Sequence, residues 1–336
     1  MRKIIVAILI CYLSSFLRAE VNQVVICAVG DMRFNGYIGD KIQEKGNEYP
    51  FHLVKDVLAN ADIAYGNLEC PIASSGTFIA GKEYTFRAEP FTITALTAAG
   101  FDIVDLANNH SGDCGPEGLL STMAILDQQG IRHVGAGNNI DEARMPALLK
   151  RNGLTIAFCS FTNTFPDTFW AKEHTPGVTP AYLEYITHDV KKAAAVSDIV
   201  IACYHGGDER SSIPKQSQKD IAHTAINAGA SMVFGHHPHV LQGIEIYKGK
   251  PICYSLGNFM FLSKEKQCYD TMIVRVVVEK DNIISFEIIP IRIADAYVRP
   301  AQGEDKKRIL ETLQTLSQSL GTQLKITGDK AVIEIP

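Results

Sequence analysis

"VVICAVGD", residues 24–31, is an apolar run that stops on a glycine and an aspartate. A run without polar alternation suits a strand covered on both faces. Its last residue, Asp31, delivers a carboxylate to the strand's C-terminal end. The pattern recurs along the chain. "DIAYGNLE" (62–69) ends on Asn67 and Glu69, and "FDIVDLANNH" (101–110) on Asn108, Asn109 and His110. "SDIVIACYHG" (197–206) brings His205, with Glu209 just beyond. "ASMVFGHH" (230–237) brings His236 and His237, with His239 following Pro238, and "PICYSLGN" (251–258) ends on Asn258.

Helical spacing fills the gaps between these runs. "FTITALTAAG" (91–100), "GPEGLLSTMAILDQQG" (115–130) and "SQKDIAHTAINAG" (217–229) each stop on a glycine, as helices commonly do. Strands alternating with helices predict an α/β fold over residues 20–268. From 269 to 336 the pattern changes. "TMIVRVVVEKDNIISFEIIPIRI" (271–293) reads as an antiparallel hairpin, and 303–320 as an amphipathic helix. A small hairpin over 325–335 completes an expected α+β appendage packed on the main domain. Residues 162–178 show no period, and their Pro, Thr and aromatic content predicts a long loop over a site.

In open α/β sheets ligands bind at the carboxyl ends of strands, which is where the six runs place their polar residues. Carboxylate, imidazole and amide together suit a divalent first-row ion such as Mn, Fe or Zn. No cysteine pair has the spacing of a closed structural zinc site. A site for two ions needs a bridging carboxylate and ligands from several loops. His237 and His239 are two apart, so on extended backbone they point the same way, with Pro238 favouring extension at His237. His236 then points elsewhere and reads as a supporting residue.

Residues 1–19 have the layout of a secretory signal: Arg2 and Lys3, an uncharged apolar run over 4–17, and Ala19 as a cleavage point. The expectation is export to the periplasm or cell envelope, with an uncleaved N-terminal anchor as the alternative. Losing Arg2, Lys3 and Arg18 takes the formal charge from −5 to −8, which argues against a nucleic-acid partner. Cys11 leaves with the signal, and Cys70 and Cys114 lie beside the polar motifs, so a disulfide between them is an open option.

"VGD", "GNLECPI", "LANNHSGDCG", "HGGDE", "GHHPHV" and "YSLGNF", in this order over residues 24–262, resemble the CapA family of poly-γ-glutamate capsule synthesis proteins. That family is similar to the calcineurin-like metallophosphoesterases. The resemblance implies an α/β-β-α sandwich and one or two divalent metal ions. It also implies metal-ligand positions at Asp31, Glu69 (bridging), Asn109, His205, His237 and His239. His110 takes the general-acid position. Two departures stand out: Arg33 occupies a position that is His in the wider superfamily, and Glu69 one that is Asp. Losing a neutral ligand at 33 weakens the first metal position or leaves a single ion, while Arg33 becomes a candidate for holding a substrate anion. Asn67, Glu209, His236 and Asn258 are expected to support the ligands or face substrate.

Three functions fit this reading. One is an exported metal-dependent hydrolase acting on a phosphoester or an anionic cell-surface polymer. The second is a polymer-binding scaffold subunit of a membrane synthase and export complex. The third is an amide hydrolase cutting γ-glutamyl bonds.

Overall fold

The computed structural model describes residues 22–335, so the segment read as a signal lies outside the described residues. Among the described residues no helix is long and apolar enough to cross a membrane.

Two mixed sheets face each other. In the first, strand Val24–Met32 pairs in parallel with Ile63–Leu68, which is followed outward by Ile103–Asp105 and Arg132–Val134. The second runs in the order 244–247, 250–253, 232–236, 199–205, 154–162 and 147–151. The polar residues expected at one sheet's edge are therefore divided between two. Asp31 and Asn67 lie at the ends of strands of the first sheet, Glu69, Asn109 and His110 follow its strands, and His205 and His236 end strands of the second.

Alternation along each strand builds the layers. Ile26 and Ala28 face the second sheet, while Cys27 and Val29 face the helices Tyr37–Lys45, Thr94–Ala99 and Gly115–Gln128. Between the sheets the Tyr65 ring stacks against Phe158 and Phe234, with centroids 5.4 and 5.9 Å apart. Helices Leu183–Ala194 and Gln216–Ala228 cover the far face of the second sheet through Ile186, Val190, Ile221 and Ala225. The result is an α/β-β-α sandwich.

The segment 269–336 is joined to this body by more than packing. Strand Asp270–Glu279 pairs antiparallel with Val24–Ala28, and its hairpin partner Asn282–Ile293 extends the first sheet further. Helix Gly303–Gln318 buries Ile309, Leu310 and Leu313 in the core between the sheets. A strand with both neighbours hydrogen-bonded has no free edge, so this hairpin closes the side of Val24–Met32 that the parallel strands leave open.

Candidate metal centre

Where Val24–Met32 ends, the chain passes so close to the 257 loop that a Cβ on Gly30 would lie 1.9 Å from the Gly257 carbonyl oxygen. Only glycine fits there. The Asp31 N–H then donates to that oxygen at 2.9 Å, and the Asp31 carboxylate is held at the junction of the two sheets. Both of its oxygens are engaged. Asn67 Nδ2 donates to Oδ1 at 2.8 Å, and His236 Nδ1 lies 3.0 Å from the same oxygen. The His237 N–H donates to Oδ2 at 3.2 Å, and His239 Nδ1 lies 3.2 Å from it. His236 is a supporting residue: its other nitrogen is 2.9 Å from the Tyr65 hydroxyl, which lies 3.4 Å from Asp105.

The histidine turn is not extended. His237 and His239 both have left-handed backbone, with φ of 95° and 58°, so the expected two-residue alternation does not apply to them. The turn is fixed from outside by the Asp31 bond to the His237 N–H and by an N–H···O bond of 2.7 Å from Arg210 to the Pro238 carbonyl. Such backbone costs on the order of 1–3 kcal/mol per residue and persists where surroundings impose it.

Two sets of ligand atoms result. Asp31, Glu69 and His239 form one, and Glu69, His205 and His237 the other, each set within 4.8 Å. Glu69 belongs to both. Asn109 joins the second through its Oδ1, 2.8 Å from His205 Nε2. Asn67 braces the whole cluster, reaching Glu69 Oε2 at 3.3 Å and His205 Nδ1 at 3.2 Å. Asn258 accepts from His239 Nδ1 at 2.9 Å.

A divalent ion fits this donor set. Glu69 Oε1 and His237 Nδ1 are buried and have no hydrogen-bond partner among the described residues. Buried polar atoms without partners are costly and rare unless something is bound there. The electrostatics agree. Burial pushes His205 well down and His237 down to about 3, so both imidazoles are neutral, the form in which histidine coordinates a metal. Burial likewise holds Glu69 well above its ordinary value. Burial would lower His239 too, but the Glu69 and Asp31 carboxylates outweigh it and raise it to about 9. Two carboxylates in so small a volume call for positive charge.

His110 stands beside this cluster, on the wall of a cleft of about 320 Å³ that also contains Arg33, Glu209 and His239. Its Nδ1 is 2.7 Å from the Asp113 carboxylate, and its ring stacks on Phe86 at 4.2 Å. Burial brings its pKa down to about 4, against the pull of Asp113. Lys82 pins the loop, donating to the Asn109 carbonyl at 2.6 Å and to Asp113. Asp113 comes three residues after His110, a spacing visible in "NHSGD". Lys82, from an irregular loop, carries no such signal.

Arg33 lies outside both ligand sets. Its guanidinium is sandwiched between Phe86 and Phe261, 4.4 Å from each ring centre, and donates to the Leu262 carbonyl at 3.1 Å. Glu209 is half exposed on the cleft wall. The segment 162–178 does not cover the cleft. Its Phe169 packs beneath Gly112, behind the His110 loop, while the cleft wall comes from residues 261–265. Cys70 and Cys114 are free thiols, each in weak contact with backbone, Phe34 N–H for the first and the Phe86 carbonyl for the second.

Comparison with known proteins agrees with this architecture. A hypothetical protein from Thermus thermophilus has a similar fold, with a TM-score of 0.50 at 17% identity over 83% of this chain and 100% of that one. PGA biosynthesis protein CapA of Bacillus subtilis is 33% identical over 91% of this chain and 81% of its own length. Capsule biosynthesis protein CapA of Bacillus anthracis is 28% identical over 94% and 79%. The profile of the bacterial capsule synthesis protein family PGA_cap matches residues 25–263. All the polar strand ends from Asp31 to Asn258 fall inside that stretch, and the chain belongs to this family.

Proposed function

We propose that the protein is an exported, metal-dependent hydrolase of poly-γ-glutamate capsule biosynthesis, acting on a phosphoester or on a linkage of the polymer itself. The capsule role comes from its relatives, whose names record PGA and capsule biosynthesis. The hydrolytic role is carried by one observation: two ligand sets share Glu69, and the cluster contains two buried polar atoms that no described residue satisfies.

Asp31, Glu69 and His239 would hold one ion, and Glu69, Asn109, His205 and His237 a second. Divalent ions bound there would supply Lewis acidity and a nucleophile near neutral pH. The chain's own residues do the rest. Asp113 accepts from His110 Nδ1–H and holds the ring; to act as the acid, His110 takes up a proton from solvent on Nε2 and passes it to the leaving oxygen. Lys82 holds that loop in place. Arg33, wedged between two aromatic rings, positions an anionic group of the substrate. The apolar N-terminal run supports export.

The test is metal analysis of the mature chain together with a panel of phosphoesters and γ-glutamyl oligomers. The expected result is bound Mn, Fe or Zn and turnover that chelation abolishes. His110→Ala should keep the metal and lose ~10²–10⁴ in rate. A chain that purifies without metal and takes none up would sink the hydrolase reading.

A further inference from the structure

A second groove, of about 510 Å³, adjoins the cleft and has no part in the chemistry above. Arg210 lines both. The turn Lys266–Tyr269 and the residues before it form their common wall, with Lys264, Glu265 and Cys268 on the cleft side and Lys266 and Gln267 on the groove side. The groove is cationic in a protein that is acidic overall: Arg210, Lys266, Arg292 and Arg308 surround it, with Leu241 and Ile309 as apolar lining.

Its counter-charges fall short. Asp270 is shared by Arg292 and Arg308, and Asp305 by Arg299 and Arg308, so three arginines have two carboxylates between them. Lys266 stands outside these pairs. Among the described residues Arg210 has only Glu209, at 4.0 Å. The cleft is less one-sided, since Glu209 and Glu265 line it as well as Arg33, Arg210 and Lys264.

We infer that this groove is an extended-polyanion subsite, which holds the capsule polymer on its way to or from the cleft. The chemistry specifies a chain with a carboxylate on each repeat and methylenes between: the carboxylates meet the arginines and Lys266, and the methylenes lie along the aliphatic stems of those side chains. Arg210 makes the track continuous, because its backbone is bonded to the histidine turn while its side chain is on the shared rim. This assignment rests on the capsule-polymer reading of the protein but not on its hydrolytic step.

The experiment measures binding of free glutamate, short and long oligo-γ-glutamates, and polyphosphate to the metal-loaded chain. Affinity should rise with oligomer length and fall with salt. Reversing the charge of Lys266, which lies on the groove side only, with Lys266→Glu should weaken the long oligomer several-fold while leaving metal content unchanged. Lys191→Glu with Lys192→Glu, on a distant helix, should change neither. Glu69→Gln should lose hydrolysis and keep length-dependent binding, which separates this subsite from the metal chemistry. Affinity independent of length, a groove variant that binds normally, or polyphosphate binding as tightly as the carboxylate chain would overturn the assignment.

Discussion

Asp31 and His237 belong to different halves of one cluster and are held in opposite ways. Asp31 is enclosed: Asn67, His236, His239 and the His237 N–H all meet its two oxygens. Behind His236 the chain of contacts continues through Tyr65 to Asp105, buried between the sheets. His237 has nothing on Nδ1 among the described residues. The Asp31 half is thus organised by the protein itself, and the His237 half is left for a ligand to complete. The halves differ in number as well. The second has Glu69, Asn109, His205 and His237, while the first has Asp31, Glu69 and His239, with Arg33 turned away between two phenylalanines. Supporting residues orient the ligands they hold and tune their affinity for metal, so the first half has fewer ligands in a stiffer frame.

Glu69→Gln gives the largest effect because it strikes both halves. The amide cannot supply the negative charge that two nearby cations need. Metal content should fall to that of a chelated sample, and turnover with it. The chelated variant should melt no lower than chelated wild type, since it removes a buried carboxylate whose Oε1 has no partner. Elemental analysis and thermal denaturation check both. Retained stoichiometry would remove Glu69 from the shared position.

The next pair separates the halves. His239→Ala should leave one ion per chain, held by the fuller second set. His237→Ala should leave less, because three ligands remain in the first set and only its frame supports them. Equal losses would show that the two ions bind as a single unit and that the comparison between halves is misplaced.

Tyr65→Phe has a smaller reach. It removes the hydroxyl behind His236 without changing the ring that stacks on Phe158 and Phe234. Loss of such a supporting bond costs ~10–100-fold in metal affinity. Only the step assigned to the Asp31 set should move in a Mn²⁺ titration of the metal-free protein. If both steps move together, Tyr65 acts through packing between the sheets.

Much of this site was legible in the sequence because strand ends are local signals. An apolar run that stops on Asp, Asn or His can be seen without knowing what lies opposite, and the cluster unites residues found in that way. What escaped depends on long-range partners. The left-handed turn at His237 and His239 is imposed by Asp31 and Arg210, neither of them adjacent in the chain. Lys82 reaches Asn109 and Asp113 from a loop with no pattern of its own. The division into two sheets was hidden because covered strands look alike whichever sheet they join. The alternating run at 271–293 identified a hairpin, but nothing in it names Val24–Met32 as its neighbour.

Asp105 offers the smallest functional effect, at the far end of the Asp31 frame. Burial pushes its carboxyl up to about 6 from the usual 3.8, against the pull of His236, Ser160 and the Ala107 N–H. Between those two values the folded protein binds more protons than the unfolded chain. Stability from this group is therefore fully present below the ordinary carboxylate pKa and lost as pH rises through about 6. About two pK units correspond to on the order of 3 kcal/mol. Asp105→Asn has no proton to lose, and its amide oxygen can still accept from Ser160 and Ala107, which bond Oδ1 in the native protein at 2.6 and 2.7 Å. Melting curves of the chelated proteins should coincide near pH ~4 and separate toward neutrality, with the variant the more stable. Metal content should not change, because the Tyr65 contact to Asp105 is long, at 3.4 Å, and His236 keeps its bond to Asp31. Parallel curves across that range would mean that Asp105 stays ionised in the fold. Lower metal affinity in the variant would extend the frame that organises Asp31 all the way across the space between the sheets.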